Sequence, residues 1–100
     1  MKISIKRADF CNPIDAEAVI ELLDAYACDP MGGCQPLSDS VKTNLIYELA
    51  KREFAVSFIA WIDDKAVGLL NAFEGFSTFN AKPLINVHDV IVLAEYRGLQ

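Results

Sequence analysis

Residues 84–100 read Leu84-Ile85-Asn86-Val87-His88-Asp89-Val90-Ile91-Val92-Leu93-Ala94-Glu95-Tyr96-Arg97-Gly98-Leu99-Gln100. Ile85, Val87, Val90, Ile91, Val92 and Leu93 make the first part apolar and largely β-branched, which suits a buried strand better than a helix. A strand is therefore expected over 84–93. The pattern breaks at Ala94-Glu95-Tyr96 and runs into Arg97-Gly98. A strand that enters an Arg-Gly turn points backbone N–H groups outward, where an anion can sit.

Working back from this strand, residues 75–83 hold Gly75, a Phe76/Phe79 pair and Pro83 and read as a loop. Residues 66–74 and 54–62 read as strands joined by a tight Asp63-Asp64-Lys65 turn, a hairpin. Gly68 inside its strand marks a bulge or a close packing contact. Phe54, Val56, Phe58 and Ile62 alternate with Ile59 and Trp61, so that strand is expected to be covered on both sides.

Two helices are expected upstream. Asn12-Pro13-Ile14-Asp15 is a helix start: a capping side chain, a proline at the first position and an acid at the positive end. Val19, Leu22, Leu23 and Tyr26 recur at helical spacing, so the helix spans 13–27. Ser38 caps a second helix over 38–52, with Val41, Leu45, Ile46 and Leu49 as its stripe and Lys51 and Arg52 at its negative end. Between them, residues 29–36 carry two Pro and two Gly and form an irregular loop. Residues 2–7 alternate apolar and polar, which reads as an edge strand. The order strand, helix, helix, strand, strand, strand predicts an α+β fold: a mostly antiparallel sheet with two helices laid on it.

One hundred residues, 53% of them hydrophobic and 23% charged, are enough for one small core. The net charge of −5 and the lack of a Lys/Arg cluster argue against nucleic acid as a partner. No apolar run reaches membrane-spanning length and no signal peptide is visible. Cys11, Cys28 and Cys34 make no C-x-x-C pair, and His88 is the only histidine. They read as free thiols in a reducing cytoplasm, with no metal site, a Cys28/Cys34 redox pair being the alternative.

The element order, the Asp29-Pro30-Met31-Gly32-Gly33 loop and the stretch from His88 to Gly98 together resemble the N-terminal half of the GNAT superfamily of N-acetyltransferases. In that family the fourth strand enters a coenzyme A pyrophosphate loop. The loop pattern is Gln or Arg, two variable residues, Gly, one variable residue, then Gly or Ala. Arg97 matches its first position, Gly98 and Leu99 fill the variable ones, and Gln100 stands where the Gly is expected.

The resemblance implies acetyl transfer from acetyl-CoA to an amine, on a small molecule or a peptide. It implies that Val90, Ile91 and Val92 line the acetyl and pantetheine arm through their main chain, that Arg97 and Gly98 begin the phosphate cradle, and that Asp29 and Met31 lie where the acceptor enters. His88 is the candidate base, since its unperturbed pKa lies near neutral. Simple alternation places it with Asn86, Val90 and Val92, and turns Asp89 away. Glu74, at the end of its strand, is a further candidate for the amine. The plainer reading stays open for each: core β-branched residues, a structural strand histidine, solvated carboxylates. Because 84–93 would be an open apolar edge, a homodimer covering it with a second copy is expected. The alternative function is a non-catalytic chain that self-associates through that strand.

Overall fold

The computed structural model describes residues 2–97. Its elements are β1 (Ile3–Arg7), α1 (Pro13–Cys28), a 3-10 turn (Pro30–Gly32), α2 (Asp39–Ala50), β2 (Ala55–Ile62), β3 (Lys65–Ser77), β4 (Lys82–Val92) and a second 3-10 turn (Ala94–Tyr96). The strands form one sheet in the order β1-β2-β3-β4, every neighbouring pair antiparallel. This is the expected α+β arrangement.

The helices start where their caps allow. The Asn12 Oδ1 accepts from the Ile14 and Asp15 N–H groups at 2.8 and 3.3 Å, with Pro13 in the first turn. The Ser38 Oγ accepts from the Val41 N–H at 3.2 Å. Each bond satisfies amides that a helix N-terminus leaves without intrahelical partners. α1 then buries Ala18, Val19 and Leu22, one helical face, against Ile59, Leu69 and Ile91 of the three adjacent strands. Burying a side chain of this size contributes about 1.5–3 kcal/mol. α2 buries only Leu49 fully.

Three expectations change. The loop expected at 75–83 is mostly strand, because Gly75 pairs with Leu84, Phe76 with Pro83 and Ser77 with Lys82, leaving 78–81 as the turn. Cross-strand pairing overrides the local turn signals, and Pro83 is tolerated because β4 is an edge strand. Second, β2 is covered unevenly: on its second face Ile62 is buried and Val56 half-buried, but Phe58 is not. Ala55, Ser57 and Ile59 are buried under the helices, while Phe58 on the other face is 39% exposed. Third, strict alternation in β4 fails at His88.

Gly68 has little room for a side chain: an added Cβ would sit 3.3 Å from the Ala60 Cβ and from the Ile91 carbonyl oxygen. Next to it, Ala60 pairs with Gly68 but Trp61 with Ala66, so Val67 is an extra residue and β3 bulges there. In the hairpin turn, Asp63 takes a φ of 54°, the left-handed value that tight strand connections use.

Candidate functional site

Along β3 and β4, Leu70 pairs with Val90 and Asn71 with Asp89, but Ala72 pairs with Val87. His88 therefore has no partner across the ladder: it is the extra residue of a β-bulge. A bulge inserts one residue and so shifts which side chains face which way. Paired residues share a face, so Asn86, Asp89 and Ile91 point toward the helices with Phe73, Asn71 and Leu69. Val87, Val90 and Val92 point to the bare side with Ala72, Leu70 and Gly68. His88 joins the helix side, where its ring meets the Phe73 ring edge-on at 5.6 Å between centroids. Alternation had put Val90 and Val92 with His88 and turned Asp89 away; the bulge reverses both.

The result is a cleft of about 380 Å³ between the helices and the β3–β4 surface. Its walls are Leu23, Leu37, Leu45, Leu49 and Phe73, and its polar groups include Asn71, His88 and Asp89. Two buried residues anchor the polar end. The Ser57 Oγ donates to the Asn71 Oδ1 at 2.6 Å, and the Asn71 Nδ2 donates to the Asp89 Oδ2 at 3.1 Å. Both bonds run in the same direction, from hydroxyl to amide to carboxylate, and successive bonds of this kind polarise one another.

The loop between α1 and α2 closes one end of the cleft and is held tightly. The Asp29 carbonyl accepts from the Gly32 and Cys34 N–H groups, the Gln35 N–H bonds the Ala27 carbonyl, and the Asp24 carboxylate accepts from the Leu37 N–H at 2.8 Å. Gly32 is packed so closely that an added Cβ would sit 2.0 Å from the Tyr26 carbonyl oxygen.

The open edge of β4 offers backbone donors. The Leu93 N–H donates inward to the Val67 carbonyl at 2.9 Å. Successive residues in a strand alternate in direction, so the Val92 and Val90 main chains face outward. The Val92 carbonyl accepts from the Arg97 Nε at 2.9 Å, and the Arg97 guanidinium reaches the Asp29 carboxylate at 3.4 Å.

The structure thus brings His88 together with Asn71 and Asp89, and ties Arg97 to Asp29. It separates Glu74, which pairs with Ile85 and lies on the bare face. Ile91 is buried under α1. Gly98 and the Met31 side chain lie outside the described residues. Asp89, Asn71 and Ser57 are the residues that reading the sequence missed. The available signal was Ser57 and Asn71 themselves, polar residues set among apolar ones in both central strands.

A larger groove of about 470 Å³ runs along α1, lined in part by Glu17, Glu21, Trp61 and Lys65. It includes none of the candidate site residues. Glu21 is held above the usual carboxylate range, first by desolvation and then by its hydrogen bond to Glu17 and that residue's charge. Among the described residues no cluster of His, Cys, Asp and Glu could hold a metal ion, and no helix is long and apolar enough to cross a membrane. Cys11, Cys28 and Cys34 are free and exposed.

No protein-family model and no curated protein matches this sequence. Solved structures match nearly all of it. A GNAT family acetyltransferase from Staphylococcus aureus superposes with a TM-score of 0.76 at 10% identity, over 99% of this chain and 68% of its own. The fold is that of the GNAT acetyltransferases. A ribosomal-protein-alanine N-acetyltransferase from Brucella melitensis gives 0.73 at 17% identity, over 99% of this chain and 62% of that one. AAC(6')-Iy, in complex with a bisubstrate analogue that joins coenzyme A to an acetylneamine, gives 0.75 at 19% identity, over 99% and 63%. The chain spans 60–63% of the length of several such GNAT-fold neighbours.

Proposed function

We propose that this chain supplies the acceptor cleft and the acyl-carrying strand of an N-acetyltransferase that moves acetyl from acetyl-CoA to an amine. One observation carries this reading. The bulge at His88 delivers the histidine and Asp89 into the cleft and, just beyond it, leaves the Val90 and Val92 N–H groups facing outward. A thioester carbonyl lying along that edge would meet fixed backbone donors, the arrangement that stabilises a developing oxyanion. His88 removes a proton from the ammonium, the neutral nitrogen attacks the carbonyl carbon and a C–N bond forms; the nitrogen gives its second proton to solvent, the C–S bond breaks, and the thiolate leaves to be protonated by solvent.

The residues in hand fit the acyl end of acetyl-CoA better than its phosphates. Arg97 lies beside the strand end, engaged by Val92 and Asp29, and Gly98 falls outside the described residues. The acceptor is an amine on a small molecule or a peptide; the neighbours acting on aminoglycosides and on a ribosomal protein give one example of each kind. The exposed free thiols support a cytoplasmic setting.

Calorimetry with acetyl-CoA tests the proposal. Micromolar binding is the expected result, and no heat at millimolar acetyl-CoA would refute it. The second reading, self-association through β4, is favoured by the exposure of Ile85, Val87 and Val90 along an unpaired strand edge. A clean monomer in sedimentation at high micromolar concentration would refute that one.

A further inference from the structure

We infer that the cleft under α1 and α2 takes a single ammonium group on a compact, apolar body, with Asp89 as the partner of the positive charge. This rests on the acceptor-cleft reading above and narrows it, from amines at large to monocationic, hydrophobic ones.

Asp89 is the one carboxylate lining the cleft, and no Lys or Arg lines it. Its Oδ2 is held by Asn71, which the buried Ser57 holds in turn. One oxygen of this half-buried group is therefore held in place. Among the described residues it has no ion pair, whereas the nearby loop and helix acids do: Asp29 meets Arg97 and Asp24 meets Lys42. An anion anchored in an apolar cleft without a cation is complementary to an incoming cation.

The walls set the rest of the ligand. Leu23, Leu37, Leu45, Leu49 and Phe73 offer hydrocarbon and no second carboxylate. A further ammonium on the ligand would meet these leucines and the Tyr26 side chain but no second carboxylate, so polyamines are disfavoured. A volume of about 380 Å³ is near the small end of ligand pockets, which calls for a compact body.

The test uses the whole chain without acetyl-CoA and three probes: 2-phenylethylamine, its neutral counterpart 2-phenylethanol, and spermidine. Binding is read by calorimetry and by the imidazole NMR signals, which belong to His88 alone. 2-Phenylethylamine is expected to bind at least about tenfold more tightly than either of the others and to shift the His88 signals, since a charge-assisted bond is the difference. Asp89→Asn is expected to remove that advantage. Leu45→Trp, which fills the cleft from α2, is expected to abolish binding and decides the matter if Asp89→Asn does not fold. Equal binding of the alcohol, tighter binding of spermidine, or full binding by either folded variant overturns the inference. Acetyl-CoA binding without amine discrimination would sink this inference and spare the acyltransferase reading; amine discrimination without acetyl-CoA binding would do the reverse.

Discussion

The two faces of the sheet are built from the same kinds of residue and meet different environments. Toward α1, Ile59, Leu69 and Ile91 are almost wholly buried. On the other side, Ile5 is 70% and Val90 64% exposed, with Ile85 and Val87 somewhat less so at 58% and 56%. Composition does not separate the two sets. What separates them is coverage: α1 presents an apolar stripe to one face, while on the other Ala72 and Ile62 are buried but Phe58, Ile85, Val87 and Val90 stay exposed. The polar chemistry follows the same division. Ser57, Asn71, His88 and Asp89 gather on the covered face, where a fixed cleft exists, while Glu74 stands on the open one.

Four substitutions break or sharpen this contrast. Ile59→Ala, at the centre of the covered face, should cost the most, about 2–5 kcal/mol, through lost burial and the cavity left behind. Urea unfolding measures it, and a loss under about 1 kcal/mol would mean that the covered face is not the main core. Gly32→Ala forces a Cβ against the Tyr26 carbonyl oxygen. The loop must shift, at about 1–3 kcal/mol, and the cleft loses its end wall, so thermal melting and amine binding should fall together.

On the open face, Val87→Lys should change stability by no more than about 0.5 kcal/mol, because the site is already in water. On the proposed pairing through β4, it should nonetheless abolish self-association in sedimentation experiments. Equal sedimentation of variant and native protein would show that this face is not the interface.

The smallest effect is electrostatic and lies along the outer side of α1. Glu21 holds its proton more strongly in the folded chain than its ordinary value allows. A raised folded value contributes stability below the unfolded pKa and loses it as pH rises through the folded one. Glu21→Gln should therefore raise stability at pH 7 by at most about 0.5 kcal/mol, with the gain vanishing below about pH 4. Glu48 has the opposite sign. Its hydrogen bonds from Arg52 and then Lys51 hold it below the usual carboxylate range, so its contribution is present at neutral pH and fades in acid. Melting curves across pH for the native protein and Glu21→Gln check both signs.

Several features were legible in the chain because they depend on near neighbours. The caps at Asn12 and Ser38 act within three residues. The apolar spacing of Val19 and Leu22 marks the buried side of α1. The Asp63-Asp64 turn needs only its own backbone. Expectations failed where distant partners intervene. Gly75 and Pro83 look like loop residues until β3 and β4 pair. Asp89 looks like a surface acid until the bulge rotates it inward against Asn71.

By itself, then, the sequence determined the element order, both helix starts and the half of the acetyltransferase fold that these elements make, because propensity, capping and hydrophobic period are local. Only the tertiary structure decided which sheet face is covered, where β4 slips by one residue, and that Asp89 joins His88 in the cleft. Strand register is a property of two strands together, so it cannot be read from either one alone.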